Sequence, residues 1–236
     1  MTETQRLSKR LIEQLQCSRR EADLLIEGGW VMVDGVVVEE PQFKVLDQTI
    51  TVHPDASTDP IEPVTILLNK PAGLDSAAAQ ALISAQSRAA DDHSQIRLLK
   101  KHFFQLQPIL PLEPAACGLC VFSQDFRVIR KLTEDAYKIE HEFVVEVSGS
   151  IAPDGLTLLN HGLSFQGRPL PPIKVSWQNE TRLRFALKAV QAGQIAYMCK
   201  SVGLQVINMK RIRIGRQPMG GLQPGQWRYL PAHEKF

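Results

Sequence analysis

The sequence predicts an α+β fold in two unequal parts, and three observations carry that expectation. Apolar runs of strand length mix with helical patterns without the regular strand-helix-strand rhythm of a doubly wound sheet. Residues 53–63, HPDASTDPIEP, hold three prolines among polar residues with no apolar period, the composition of an extended linker. The chain has 236 residues, 44% hydrophobic and 22% charged, which is ordinary globular composition and enough for a small domain beside a large one. The expected division is a first domain at 1–55, a linker at 56–63 and a second domain at 64–236.

In the first domain, Leu7, Leu11, Ile12 and Leu15 recur at helical spacing. A second helix is announced by Ser18 with Glu21 three residues on, a capping box in which each side chain satisfies a backbone N–H that the helix leaves unpaired. It runs through Ala22, Leu25 and Ile26 and stops at Gly28-Gly29, where a left-handed cap meets no Cβ clash. Val31 and Val33, then Asp34-Gly35, then Val36 to Val38 spell a tight hairpin, because Asp-Gly accepts the positive φ angles of its turn. The second domain opens with a strand at 64–68 and an alanine-rich helix at 77–85. Further strands are expected at 119–122, 143–147, 182–187, 205–214 and 227–230. One helix follows Ser123, with Phe126, Ile129, Leu132 and Ala136 on a face; another carries Ile195, Met198 and Val202 and ends at Gly203.

No apolar stretch has the length of a membrane span, and the start MTETQRLSKR is polar rather than secretory in pattern. Four scattered cysteines do not make a disulfide framework. The expectation is a cytoplasmic protein. The formal net charge of +2 conceals a polarity: residues 181–236 carry ten Lys and Arg against Glu234 alone, leaving 17 basic and 24 acidic residues before them. An acid-free basic block is what a polyanion-facing surface needs, because each cation near a phosphate releases counterions. In the strand at 207–214, Arg211 and Arg213 are expected on one side and Lys210 on the other, with Arg216 just beyond. These four are the C-terminal candidates for phosphate contact. Arg6, Lys9, Arg10, Arg19 and Arg20 sit at the starts of the two N-terminal helices, where backbone N–H groups also favour anions, so they form a second candidate phosphate-binding face.

The segment RLSKRLIEQLQCSRREADLLIEGGWVMVDG resembles the small S-four-type RNA-binding domain named after a ribosomal protein, at Arg6-Leu7, Lys9, Ser18 to Asp23, Gly29, Val31, Val33 and Gly35. Downstream the chain resembles the bacterial pseudouridine synthases of the ribosomal small-subunit type and their large-subunit relatives. The matching pieces are Leu68-Asn69-Lys70-Pro71 with Gly73, Gly118-Leu119, Gln194-Ile195 with Met198-Cys199 and Gly203, and the ending Leu222, Gly225, Trp227-Arg228 and Leu230. The resemblance spans almost the whole chain. It implies a catalytic domain built on a bent, mixed, mainly antiparallel sheet, and an RNA cleft bordered by Asn69 and Lys70. It also implies structured, ribosomal RNA as partner, a monomer, and a reaction that detaches uracil and rejoins it through carbon with one aspartate and neither metal nor cofactor. The base leaves its stack first.

The departures are concentrated in the catalytic loop. Where the family reads Gly-Arg-Leu-Asp, two variable residues, Thr or Ser, one variable residue and Gly-Leu, this chain has LPLEPAACGL at 110–119. Glu113 takes the aspartate position, Pro111 the arginine and Ala116 the hydroxyl. The added methylene moves the carboxylate by roughly 1 to 1.5 Å, enough to cost on the order of 10²-fold in a positioned reaction. The family's tyrosine falls at Phe143, and its bases around Gln194 are replaced by Gly193, Ala196 and Tyr197. Glu113 is thus expected to lack a positive neighbour and, if buried, to take up a proton. Asp75 is the one nearby substitute, and an Asp after Gly-Leu fits a turn or cap better. The resemblance therefore implies RNA binding with isomerisation lost or reduced. Two alternatives stand beside it: an active synthase using Glu113, and a thiol redox protein using Cys117 and Cys120, whose spacing otherwise fits core packing. The histidines show no metal-ligand spacing.

Overall fold

Two short amphipathic helices meet at a sharp corner because Gln16 turns left-handed (φ 51°) and Ser18 opens the next helix. These are α1 (Leu7–Leu15) and α2 (Arg19–Glu27). The capping box is formed at both ends: Ser18 Oγ accepts from the Glu21 N–H at 3.2 Å, and Glu21 Oε2 accepts from the Ser18 N–H at 2.8 Å. Such a cap contributes about 1 kcal/mol. The computed structural model describes residues 4–236 and divides them into two compact units.

The smaller unit spans the chain up to Pro63 and includes a later segment, Arg97–Gln105. Its strands are β1 (Gln5–Arg6), β2 (Val31–Val33), β3 (Val36–Val37), β4 (Lys44–Val45) and β5 (Ile50–Val52). β2 lies between β3 and β5, and β1 pairs with β4. The hairpin from β2 to β3 closes through Asp34 (φ 50°) and Gly35 (φ 80°), and Met32 and Val33 pair with Val37 and Val36. Leu7, Leu11, Ala22, Leu25, Ile26, Val31, Val33 and Val45 form the core. Each fully buried Leu, Ile or Val there contributes roughly 1.5–3 kcal/mol. Segment Arg97–Gln105 finishes the unit. Arg97 stacks on Trp30 at 3.6 Å and donates to the carbonyls of Gly28 and Gly29, the free C-terminal end of α2. Lys100 pairs with Glu40, its N–H reaches Glu39 at 2.6 Å, and Lys101 pairs with Glu27 at 2.6 Å.

The larger unit is built around one mixed, mainly antiparallel sheet of nine strands, with a separate two-stranded ribbon. In chain order it contains β6 (Thr65–Lys70), α3 (Ser76–Gln80), β7 (Gln107–Ile109), β8 (Cys117–Ser123), α4 (Phe126–Glu134) and β9 (Glu140–Gly149). Then come α5 (Gly155–Asn160), β10 (Ser164–Phe165), β11 (Arg168–Pro169), β12 (Lys174–Trp177) and β13 (Arg182–Lys188). The chain finishes with α6 (Gln194–Ser201), β14 (Leu204–Ile214), β15 (Gln217–Pro218) and β16 (Trp227–Tyr229). The strand order is β12-β13-β9-β14-β8-β6-β16, with β7 also on β8 and β15 on β14. Among the strand pairings of the described residues, that of β14 with β8 is the parallel one.

Along β9, His141, Phe143, Val145 and Val147 are buried and Glu142, Val144 and Glu146 face the other way, the period-2 pattern of a half-covered sheet. α4 packs on β7 and β8, where Leu132, Ile109, Leu119 and Val121 share a cluster with Ile214 and Leu222. α6 lies on β14 through Ile195, Met198 and Cys199. The alanine-rich stretch gives a shorter helix than expected: α3 stops at Gln80.

The candidate catalytic loop and the candidate RNA contacts

The loop 110–116 joins β7 to β8, and what fixes it is a set of buried cations. Leu110 turns left-handed (φ 53°), and Gly118 enters β8 at φ 103°. A Cβ at Gly118 would lie 2.2 Å from the Arg211 carbonyl oxygen, so only glycine lets β8 approach β14 in the parallel pairing Arg211 with Gly118. Arg211 is 1% exposed. Its guanidinium donates to the carbonyls of Leu110 at 2.7 Å and Leu119 at 2.8 Å, one at each end of the loop. Lys70, also 1% exposed, donates to the carbonyls of Pro71 (3.0 Å), Leu74 (2.8 Å) and Pro114 (3.3 Å). The Gly73 N–H adds a bond of 2.7 Å to the same Pro114 oxygen. Burial holds both the Lys70 ammonium and the Arg211 guanidinium below their usual ranges.

Glu113 is half-buried on this loop. Its Oε1 accepts the N–H of Gly193 at 2.7 Å, and Gly193 is the left-handed residue (φ 75°) that precedes α6. Among the described residues the carboxylate forms no ion pair. Its partner is a backbone donor at a helix N-terminus, where the helix dipole favours negative charge. This backbone donor was not anticipated from the sequence.

Phe143 is 2% exposed and pairs across the sheet with Phe185 on one side and Arg211 on the other. Directly opposed residues share a face, so Phe143 flanks the arginine that anchors the loop. His141, two residues earlier on the same face, was not singled out by the sequence reading. Its ring lies 6.4 Å from that of Phe143, and neither of its nitrogens has a hydrogen-bond partner. Burial, with Arg211 and Arg213 nearby, pushes its pKa down to about 3, so it is neutral. The strict alternation of HEFVVEV could have flagged it, since His141 falls on the apolar face.

Several candidate RNA contacts are corrected. Asn69 is 2% exposed and donates to the Leu222 carbonyl at 2.7 Å, while Lys70 and Arg211 serve loop carbonyls; none of the three faces solvent. Arg211 and Arg213 do not share a side. A bulge at Ile212 shifts the register so that Arg211 opposes Phe143 and Arg213 opposes Glu142, which flips the second arginine to the other face. There Arg213 pairs with Glu140 and, at 2.7 Å, with Glu142, which also pairs with Arg184. Arg182 lies 3.9 Å from Glu146, and Arg228 lies 2.9 Å from Glu234. Three of the ten cations of the basic block, Arg182, Arg184 and Arg213, therefore face acids of β9 that lie outside it in sequence. Lys210 is half-exposed and Arg216 exposed, and neither forms an ion pair among the described residues.

In the smaller unit, Arg6, Lys9, Arg10, Arg19 and Arg20 are all exposed at the starts of α1 and α2. Among the described residues, Arg19 alone of the five has an ion-pair partner, Asp23 at 3.8 Å. Asp75 caps α3 by accepting the Ala78 N–H at 2.8 Å. Cys117 and Cys120 stand three apart in β8, hence on opposite faces, and burial raises the Cys120 thiol. All four cysteines are free. Among the described residues no three His, Cys, Asp or Glu are grouped to hold a metal ion, and no helix is long and apolar enough to cross a membrane.

Residues 5–49 match the S4 domain. An uncharacterized RNA pseudouridine synthase of Aquifex aeolicus is 27% identical over 97% of this chain and 94% of its own length. The chain is a homologue of RNA pseudouridine synthases. Within that family, the ribosomal large subunit pseudouridine synthase B of Bacillus subtilis is 28% identical over 98% of this chain and 93% of its own. The ribosomal small subunit pseudouridine synthase A of Vibrio cholerae is 25% identical over 97% of each. A crystal structure of a pseudouridylate synthase superposes with a TM-score of 0.60 at 17% identity and covers 96% of both chains. The pseudouridine synthase homologue thus has that enzyme's fold, with an S4 unit ahead of the large sheet.

Proposed function

We propose that this chain binds structured ribosomal RNA as a cytoplasmic monomer without a cofactor, and that it isomerises uridine little or not at all. One observation carries the reading. The carboxylate in the catalytic loop is held by the Gly193 N–H, while the two cations beside the loop, Lys70 and Arg211, are fully engaged with backbone carbonyls. Among the described residues no side-chain cation pairs with Glu113 to orient it or to balance charge during the reaction. Phe143 offers a ring without a hydroxyl. The exposed arginines of the S4 unit supply the phosphate contacts.

A second reading is favoured by one feature of the same loop: Glu113 remains half-exposed and is anchored at 2.7 Å by the Gly193 N–H at a helix N-terminus, a hold that uses no side-chain cation. In this reading Glu113 performs the isomerisation itself. The thiol redox reading has no such support, because Cys117 and Cys120 face apart.

Tritium release from ribosomal RNA labelled at carbon 5 of uridine separates the two, since isomerisation expels that hydrogen. The proposal expects no release from RNA that the protein binds, in the wild type and in Glu113→Asp alike. Release by the wild type that disappears in Glu113→Ala would replace it with the active-glutamate reading.

A further inference from the structure

The outer face of α6 carries an aromatic ring half open to solvent and an exposed lysine that forms no ion pair among the described residues. Its inner face, Gln194, Ile195, Met198 and Cys199, is buried. Outward stand Tyr197, 46% exposed, and Lys200, exposed and three residues on, the spacing that makes neighbours on a helix surface. Phe165 of β10, 9% exposed, packs against the tyrosine at a tilt of 58° with ring centroids 5.3 Å apart, while the Tyr197 ring stays half open to solvent. Lys200 forms no ion pair among the described residues.

The position matters as much as the groups. Tyr197 lies one helical turn, about 6 Å along the axis, from Gly193, whose N–H holds Glu113. Helical side chains lean toward the N-terminus of their helix, here the end where the carboxylate sits. The space around that end is open: a Cβ at Gly193 or at Gly73 would meet nothing within 4 Å.

We propose that Tyr197, backed by Phe165, is a stacking platform for one unpaired base of RNA entering the Glu113 loop, with Lys200 meeting an adjacent phosphate. An aromatic face beside an unpaired ammonium is the combination that single-stranded nucleic acid uses, since every base has a π-face and every linkage a charge. The inference deepens the RNA-binding reading and rests on it.

The test uses the full chain and a single-stranded oligouridylate carrying one 5-iodouridine, which photocrosslinks to a stacked aromatic ring, with ribosomal RNA bound in parallel. The crosslink is expected on Tyr197, and Tyr197→Leu is expected to weaken oligouridylate binding about 5- to 10-fold without changing its salt dependence. Tyr197→Phe keeps the ring and should bind as the wild type does, which separates stacking from misfolding. Lys200→Gln should lower the salt slope by about one. Crosslinks that map elsewhere, or Tyr197→Leu binding as tightly as wild type, would overturn the subsite while ribosomal RNA binding stands. Failure to bind either RNA would remove the RNA-binding reading and the subsite together.

Discussion

Arg211 reaches from β14 to the Leu110 carbonyl at 2.7 Å, joining the strand at the middle of the sheet to the first residue of the candidate catalytic loop. Among the described residues it has no carboxylate partner; two carbonyl oxygens accept from a charge that is otherwise removed from water. Such a residue holds the loop in place and contributes nothing to a surface. Arg211→Met should leave both carbonyls without a donor and cost about 2–4 kcal/mol in urea unfolding. An unfolding midpoint equal to wild type would show the anchor to be dispensable.

His141 gives the protein an acid-sensitive term. Its folded pKa, near 3, is below the ordinary value of 6.5, so the unfolded chain binds a proton over a range where the native state does not. Stability from this group is fully present above pH 6.5 and is lost as pH falls toward 3, roughly 3 kcal/mol by pH 4. The lowered carboxyl of Glu142, held by Arg213 and Arg184, loses its share further down, as pH passes through its folded value. His141→Leu should remove the first loss and leave the second. The measurement is the difference in urea midpoint between variant and wild type at pH 7 and at pH 4; an equal difference at both would contradict the assignment.

Gly118 is constrained twice, by φ 103° and by the 2.2 Å approach its Cβ would make to the Arg211 oxygen. Gly118→Ala should destabilise by about 2–4 kcal/mol. Gly35, at φ 80° with open space around it, carries only the conformational cost, so Gly35→Ala should lose clearly less in the same assay. Equal losses would mean that the close strand approach is not what selects glycine at Gly118.

Arg19 and Arg20 are exposed in the first turn of α2. Reversing both to Glu should weaken binding to ribosomal RNA and flatten the dependence of affinity on salt, by about one unit of slope for each lost phosphate contact. A filter-binding series across salt concentrations that overlays the wild type would detach the S4 unit from RNA recognition.

Local chemistry was the most legible part of the sequence. Ser18 with Glu21, and Asp34 with Gly35, depend on neighbours within a few residues, so residue type alone determines their geometry. The loop with Glu113 could be located, but its partner Gly193 comes eighty residues later and acts through backbone, which no side-chain pattern records. The strand at 204–214 looked like a simple alternation until its bulge placed Arg211 and Arg213 on opposite faces. Lys70 and Arg211 read as surface cations because burial of a charge depends on where carbonyl oxygens converge, a property of three dimensions. The short strands β10 to β12 lacked the length that makes periodicity visible.

The stacking of Arg97 on Trp30 has a consequence for synthesis. The smaller unit is not continuous in the chain, since its last piece ends at Gln105, beyond the whole of β6 and α3. At ordinary translation rates the ribosome needs about 2–8 s to pass from Pro63 to that point. During that interval the nascent S4 unit leaves the ring of Trp30 uncovered and the C-terminal carbonyls of α2 without their guanidinium donor.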